Sequence, residues 1–105
     1  MNYNVDVETI AKRLDFEVDE IKMLVDIFLD SAYDSLQSLL DGINSTNYEK
    51  IFQAAHAIKG SSANLTFVDI SNLAKEIELS AREEHTIDYI SKYSELKDLI
   101  DHLKN

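Results

Sequence analysis

Apolar residues recur at alternating steps of three and four along most of the chain, and no segment alternates with period two for long. That spacing lines one face of an α-helix but would scatter apolar side chains over both faces of a strand. The longest stripe, Ile21, Val25, Phe28, Ala32, Leu36, Leu39 and Ile43, predicts one helix over roughly residues 17–43, ended by Gly42 and the polar pair Asn44-Ser45. The sequence has no proline and only two glycines, Gly42 and Gly60, so little in it breaks long helices.

Further helices follow in register. Thr46 with Glu49 has the form of a capping box, opening a helix whose apolar side reads Ile51, Ala55, Ile58, Ser62 and Leu65. Thr66 with Asp69 repeats that form and predicts a helix from near residue 67 that buries Ile70, Leu73, Ala74, Ile77 and Ala81. A short connection, Glu83 to Thr86, precedes a last helix striped by Tyr89, Tyr93, Leu96, Ile100 and Leu103. Upstream, Val7, Ile10, Ala11 and Leu14 suggest a short extra helix leaning on the rest. Loops of a few residues cannot reach distant neighbours, so consecutive helices pack antiparallel. The expected fold is all-α: an antiparallel up-down-up-down four-helix bundle with a short additional N-terminal helix, as a single domain over residues 1–105.

Charge narrows the partners. Twenty acidic residues against ten basic ones give a formal charge of −10, which repels nucleic-acid backbones and anionic membrane surfaces. No stretch approaches the ~20 apolar residues that span a bilayer, and the start MNYNVDVE lacks the basic and apolar regions of a signal peptide. A cytoplasmic protein is expected, and a monomer is the simpler expectation. Without cysteine there is neither a disulfide nor a thiolate metal site. His56, His85 and His102 show no i,i+3 or i,i+4 ligand pairing among themselves, so no metal site is expected either.

One segment departs from a plain bundle. Residues 51–68 (IFQAAHAIKGSSANLTFV) hold a single formal charge, Lys59, and no carboxylate in a chain that is 29% charged. Burial of the helix would explain the missing acids, but Gln53, His56, Lys59, Ser61 and Asn64 cannot all enter a core without partners. Helical geometry places Lys59 and Gly60 one turn beyond His56. A neutral imidazole is a nucleophile at pH 7, and phosphoryl transfer asks little more than its placement and nearby positive charge. A glycine inside a helix costs on the order of 1 kcal/mol relative to alanine. Gly60 serves either to leave room for a bulky group beside His56 or to let two helices approach closely.

The string AAHAIKGSSANL, residues 54–65, resembles the signature of histidine-containing phosphotransfer (HPt) domains, in which a helix carries His-x-x-Lys-Gly and then small residues. LAKEIELSAR at 73–82 is similar to the family's following helix, and AKRLDFEVDEIKMLVDIFLDSA to its first helices. The resemblance implies that His56 is the phosphorylated histidine, Lys59 a phosphate-side lysine and Gly60 the residue that keeps the site open. It also suggests that Glu78 orients the imidazole and that Arg82 helps hold phosphate, against the alternative of an ordinary surface Glu78–Arg82 pair. Many members have glycine where Thr66 stands, which puts the local turn geometry in question. The implied partners are receiver domains of response regulators, which would supply Mg²⁺, and a sensor histidine kinase. The chain itself is expected to bind no cofactor and, lacking a glycine-rich nucleotide loop, to have no ATP-dependent kinase activity. Two other readings stay open: a noncatalytic helical adaptor using the same uncharged face, and the phosphoacceptor module of a larger hybrid or chemotaxis-type kinase.

Overall fold

The computed structural model describes residues 3–104. Five helices follow in order: α1 (Val7–Leu14), α2 (Val18–Asn44), α3 (Tyr48–Asn64), α4 (Val68–Arg82) and α5 (Tyr89–Asp101). Among the described residues there is no strand; the only β pairing is an isolated antiparallel bridge between Tyr3 and Lys104. α2 contacts α3, α3 contacts α4, α4 contacts α5, and α5 returns to α2, so the four longer helices close a ring, with α1 packed on α2. At about 1.5 Å per residue the 27 residues of α2 account for most of the molecule's 42 Å long axis. No described helix is long and apolar enough to cross a membrane.

The periodic stripes form the core. Ile21, Val25, Phe28, Leu36 and Leu39 of α2 are buried, and they meet Ile51 and Ile58 of α3, Ile77 of α4, and Leu96 and Ile100 of α5. Aromatic edges add to the packing, with Phe28 and Phe67 in a T-shaped contact at 5.3 Å. The first and last described residues are drawn together on α2. The Tyr3 hydroxyl donates to Asp26 at 2.9 Å, Lys104 Nζ reaches the same carboxylate at 2.6 Å, and the Asn4 amide donates to the Leu103 carbonyl at 2.9 Å.

Three local expectations are corrected. Gly42 does not end α2: the helix runs on to Asn44, and the glycine is buried, where an added Cβ would lie 3.1 Å from Ile51 Cγ1 and from its backbone nitrogen. Gly42 is therefore a close-approach residue that lets α3 start against α2. Nor do Thr46 and Thr66 cap the helices that follow them. The N-cap of α3 is Asn47, whose side chain accepts from the Lys50 amide, and the N-cap of α4 is Phe67, which makes no side-chain capping bond.

Both threonines instead lie in the left-handed region, with φ of 50° and 63°, and they finish the preceding helices. The amides of Asn47 and Phe67 then turn back to the carbonyls of Gly42 and Ser62 at 2.8 and 2.9 Å, five residues earlier. Asp15 and Glu84 do the same for α1 and α4, with Phe16 donating to Ala11 and His85 to Ser80. Four helix ends thus share the closure that glycine ordinarily serves, each built on a residue with a side chain. The short loops that enforce antiparallel neighbours are made this way.

Thr66 is, like Thr46, a costly case, because a β-branched residue pays for its Cβ in this region. Its hydroxyl accepts from Arg13 Nη1 at 3.1 Å, an exposed bond that offsets little. Thr66→Gly should relieve about 1–2 kcal/mol of left-handed strain while adding about 0.4–1 kcal/mol of freedom to the unfolded chain. Urea unfolding should show a net gain of about 0.5–1 kcal/mol with an unchanged m-value. A loss of stability would mean that the Arg13 contact outweighs the strain.

Candidate functional site

The antiparallel contact of α3 with α4 brings a carboxylate beneath a histidine. Ala55, Ala74 and Ala81 are small and buried on the packed sides of these helices, which allows a close approach. Glu78 stands one position round from the core residue Ile77, so it faces α3 and is 3% exposed. Its Oε2 is hydrogen-bonded to Nδ1 of His56, and its Oε1 accepts from Lys59 Nζ at 2.8 Å. The side chain of His56 is 61% exposed and that of Lys59 30%. One turn of α3 thus carries two groups that converge on a single buried carboxylate from α4.

Burial pushes the Glu78 carboxyl up, but hydrogen bonds from Lys59 and His56, reinforced by their charge, outweigh it and hold the group below the ordinary value of 4.5. A carboxyl with a lowered folded value contributes stability that is present above the unfolded value and lost as pH falls through the folded one. Thermal stability should therefore fall below about pH 4.5, and Glu78→Gln should make that fall shallower than in wild type. Asp6, Asp26, Asp88 and Asp101 are also held low, so the difference between the two proteins isolates the Glu78 share. Parallel pH profiles would contradict the assignment.

Gly60 follows Lys59 on the exposed side of α3, and a Cβ placed there would meet nothing within 4 Å. Close contact with another helix of this chain is thus not its reason. The glycine leaves a smooth patch beside the imidazole, bounded by exposed Ala57 and Asn64.

Arg82 does not join this group. It lines a groove with Phe52 and the turn from Ser45 to Glu49, one turn along α4 from Glu78. Among the described residues no hydrogen bond or ion pair links it to His56 or Glu78, and the surface Glu78–Arg82 pair is not formed either, since both Glu78 oxygens turn to α3. The acid-free stretch 51–68 is accordingly only half the electrostatic picture, because its negative partner comes from α4. His85 lies exposed in the α4–α5 connection and His102 caps the C-terminus of α5. Phe52 is the residue that sequence reasoning passed over. Its ring stacks on that of His56, and the only signal for it was the spacing of four residues.

The fold and this cluster define a helical bundle that presents one oriented imidazole on an acid-poor face. The Hpt domain family model matches residues 23–105, and the chain belongs to that family, the phosphotransfer proteins of two-component phosphorelays. Hpt domains relay phosphoryl groups between kinases and receiver domains. Among solved structures the chain is similar to histidine-containing phosphotransfer protein B (HptB) from Pseudomonas aeruginosa PAO1, with a TM-score of 0.81 and 23% identity over 96% of this chain and 86% of that one. At that identity the likeness speaks to the fold. No curated protein matches the chain.

Proposed function

We propose that His56 is the phosphoacceptor and that it exchanges a phosphoryl group with the aspartate of receiver domains through Nε2. The observation that carries this reading is the division of labour on one ring: Nδ1 is engaged by buried Glu78 while the rest of the imidazole stands in solvent. A carboxylate at Nδ1 favours the proton there, which leaves the lone pair on Nε2. As the Nε2–P bond forms, the P–O bond to the aspartyl carboxylate breaks and the carboxylate leaves with its electron pair. No proton has to move. The ring becomes a phosphorylated imidazolium whose positive charge faces Glu78.

Lys59 acts through Glu78. It balances the carboxylate while the ring is neutral, so an incoming phosphoryl group does not meet net negative charge. The donor set does not suit a metal, since Lys59 and His56 occupy the Glu78 oxygens and no group of three or more potential ligands occurs among the described residues. In this proposal the receiver supplies the Mg²⁺. A sensor kinase acting upstream is consistent with the same exposed ring.

Incubation with a panel of phosphorylated receivers tests the reading. Acid-labile, alkali-stable label on the chain is expected, and no label from any receiver would favour an adaptor that docks through the same face without chemistry. Gly60→Gln gives a sharper check. It should keep or raise helix stability by up to about 1 kcal/mol and slow transfer about tenfold or more, because a side chain would occupy the space a receiver must enter. Unchanged transfer would remove this account of the glycine.

A further inference from the structure

Phe52 lies one turn before His56 on α3, half-buried and packed against the core. The two rings stack with centroids 5.8 Å apart and planes inclined by 14°. The Cβ–Cγ bond and the hydrogen bond at Nδ1 hold the imidazole at two points, but a hydrogen bond tolerates a broad range of angles, so the ring can still rock about its mean plane. The Nε2 lone pair lies in the ring plane, so its aim is set only when the plane is set. A parallel aromatic face sets it, because a tilted imidazole would either press its edge into Phe52 or lose the contact. Phe52 has little freedom to follow, held as it is on the core and forming one wall of the groove that also contains Ala81 and Arg82. Glu78 selects the reacting nitrogen and Phe52 its direction.

We infer that Phe52 is a positioning residue for phosphoryl transfer: it sets the plane of His56, and its π face steadies the positive charge the ring gains when Nε2 is phosphorylated with Nδ1 still protonated. This rests on the reading of His56 as acceptor. In-line displacement is sensitive to such aim, since a misplacement of about 1 Å can cost on the order of 10²-fold in rate. Phe52 touches the ring and not the receiver's phosphorus, so its effect falls on the transfer step and not on docking.

The test uses the full chain with a phosphorylated receiver at varied concentration. Phe52→Leu and Phe52→Met keep apolar volume without a ring, Phe52→Tyr keeps the ring, and His56→Gln reports on the acceptor. Both ringless variants should lose about tenfold in the maximal transfer rate with the half-saturating concentration unchanged, and Phe52→Tyr should match wild type. Two ringless variants guard against one that folds poorly, which melting curves would reveal. Wild-type maximal rates in the ringless variants, or a loss confined to the half-saturating concentration, would overturn the positioning role while His56→Gln remained unlabelled. Label on His56→Gln would instead overturn the acceptor reading beneath it.

Discussion

His56→Gln should leave a folded bundle that accepts no phosphoryl group, with transfer reduced by at least about 10³-fold, as when a covalent nucleophile is removed. The side chain is 61% exposed, so its loss opens no cavity. Gln has no nucleophilic nitrogen, but its amide can still donate to Glu78 across the α3–α4 contact. The melting curve should accordingly stay near that of wild type. Transfer assays against several phosphorylated receivers, read beside circular dichroism, check both halves. Residual label above about a hundredth of wild type would point to another acceptor, with His85 and His102, both exposed, the first to examine.

The second large effect belongs to Glu78. Glu78→Ala should slow transfer about 10²-fold, because nothing then holds the proton on Nδ1 or the ring against α4. Removing one partner of a buried pair usually strands a charge, but Lys59 is 30% exposed and its ammonium can turn to water. The stability cost should therefore stay below the 3–5 kcal/mol typical of a fully buried charge left alone. Glu78→Gln adds a distinction. Its amide can donate to Nδ1 and so push the proton to Nε2, the nitrogen that must attack. Nitrogen chemical shifts of the imidazole should show the tautomer ratio moving as the transfer rate falls. A wild-type rate in Glu78→Ala would reduce the buried contact to a structural feature.

Much of this architecture is legible in the stripes. Ile21, Val25, Phe28, Leu36 and Leu39 mark α2, and Ile70, Leu73, Ala74, Ile77 and Ala81 mark α4, because burial of one face leaves the same period in any helix of a bundle. The helix ends are less legible. Thr46 and Thr66 carry the residue pattern of a cap, yet each sits at the end of the preceding helix in the left-handed region. Composition favours glycine there, and only the backbone reveals that threonine has taken its place. Gly42 and Gly60 look alike in sequence but answer to different neighbours: Ile51 presses on the first, and open space surrounds the second.

The site divides in the same way. His56, Lys59 and Gly60 share one helix, so their proximity follows from i,i+3 and i,i+4 geometry alone. Glu78 comes from another helix, and nothing local separates its place under His56 from a surface pair with Arg82; the register between α3 and α4 decides. That register buries Glu78 against His56 and Lys59 and sets Arg82 opposite Phe52. Phe52 was hidden for a different reason. At helical spacing an aromatic residue is most simply core, and its second role as the face beneath His56 is a matter of side-chain direction.

The central claim is that Glu78 leaves Nε2 of His56 as the nitrogen that carries the phosphoryl group. Phosphorus–nitrogen coupling, measured by NMR on the nitrogen-labelled chain after phosphorylation by a receiver, tests it most directly. A single phosphorus bonded to Nε2 of His56, with Nδ1 still protonated and facing Glu78, is the predicted result. A phosphorus on Nδ1, on another histidine or on a carboxylate would contradict the account.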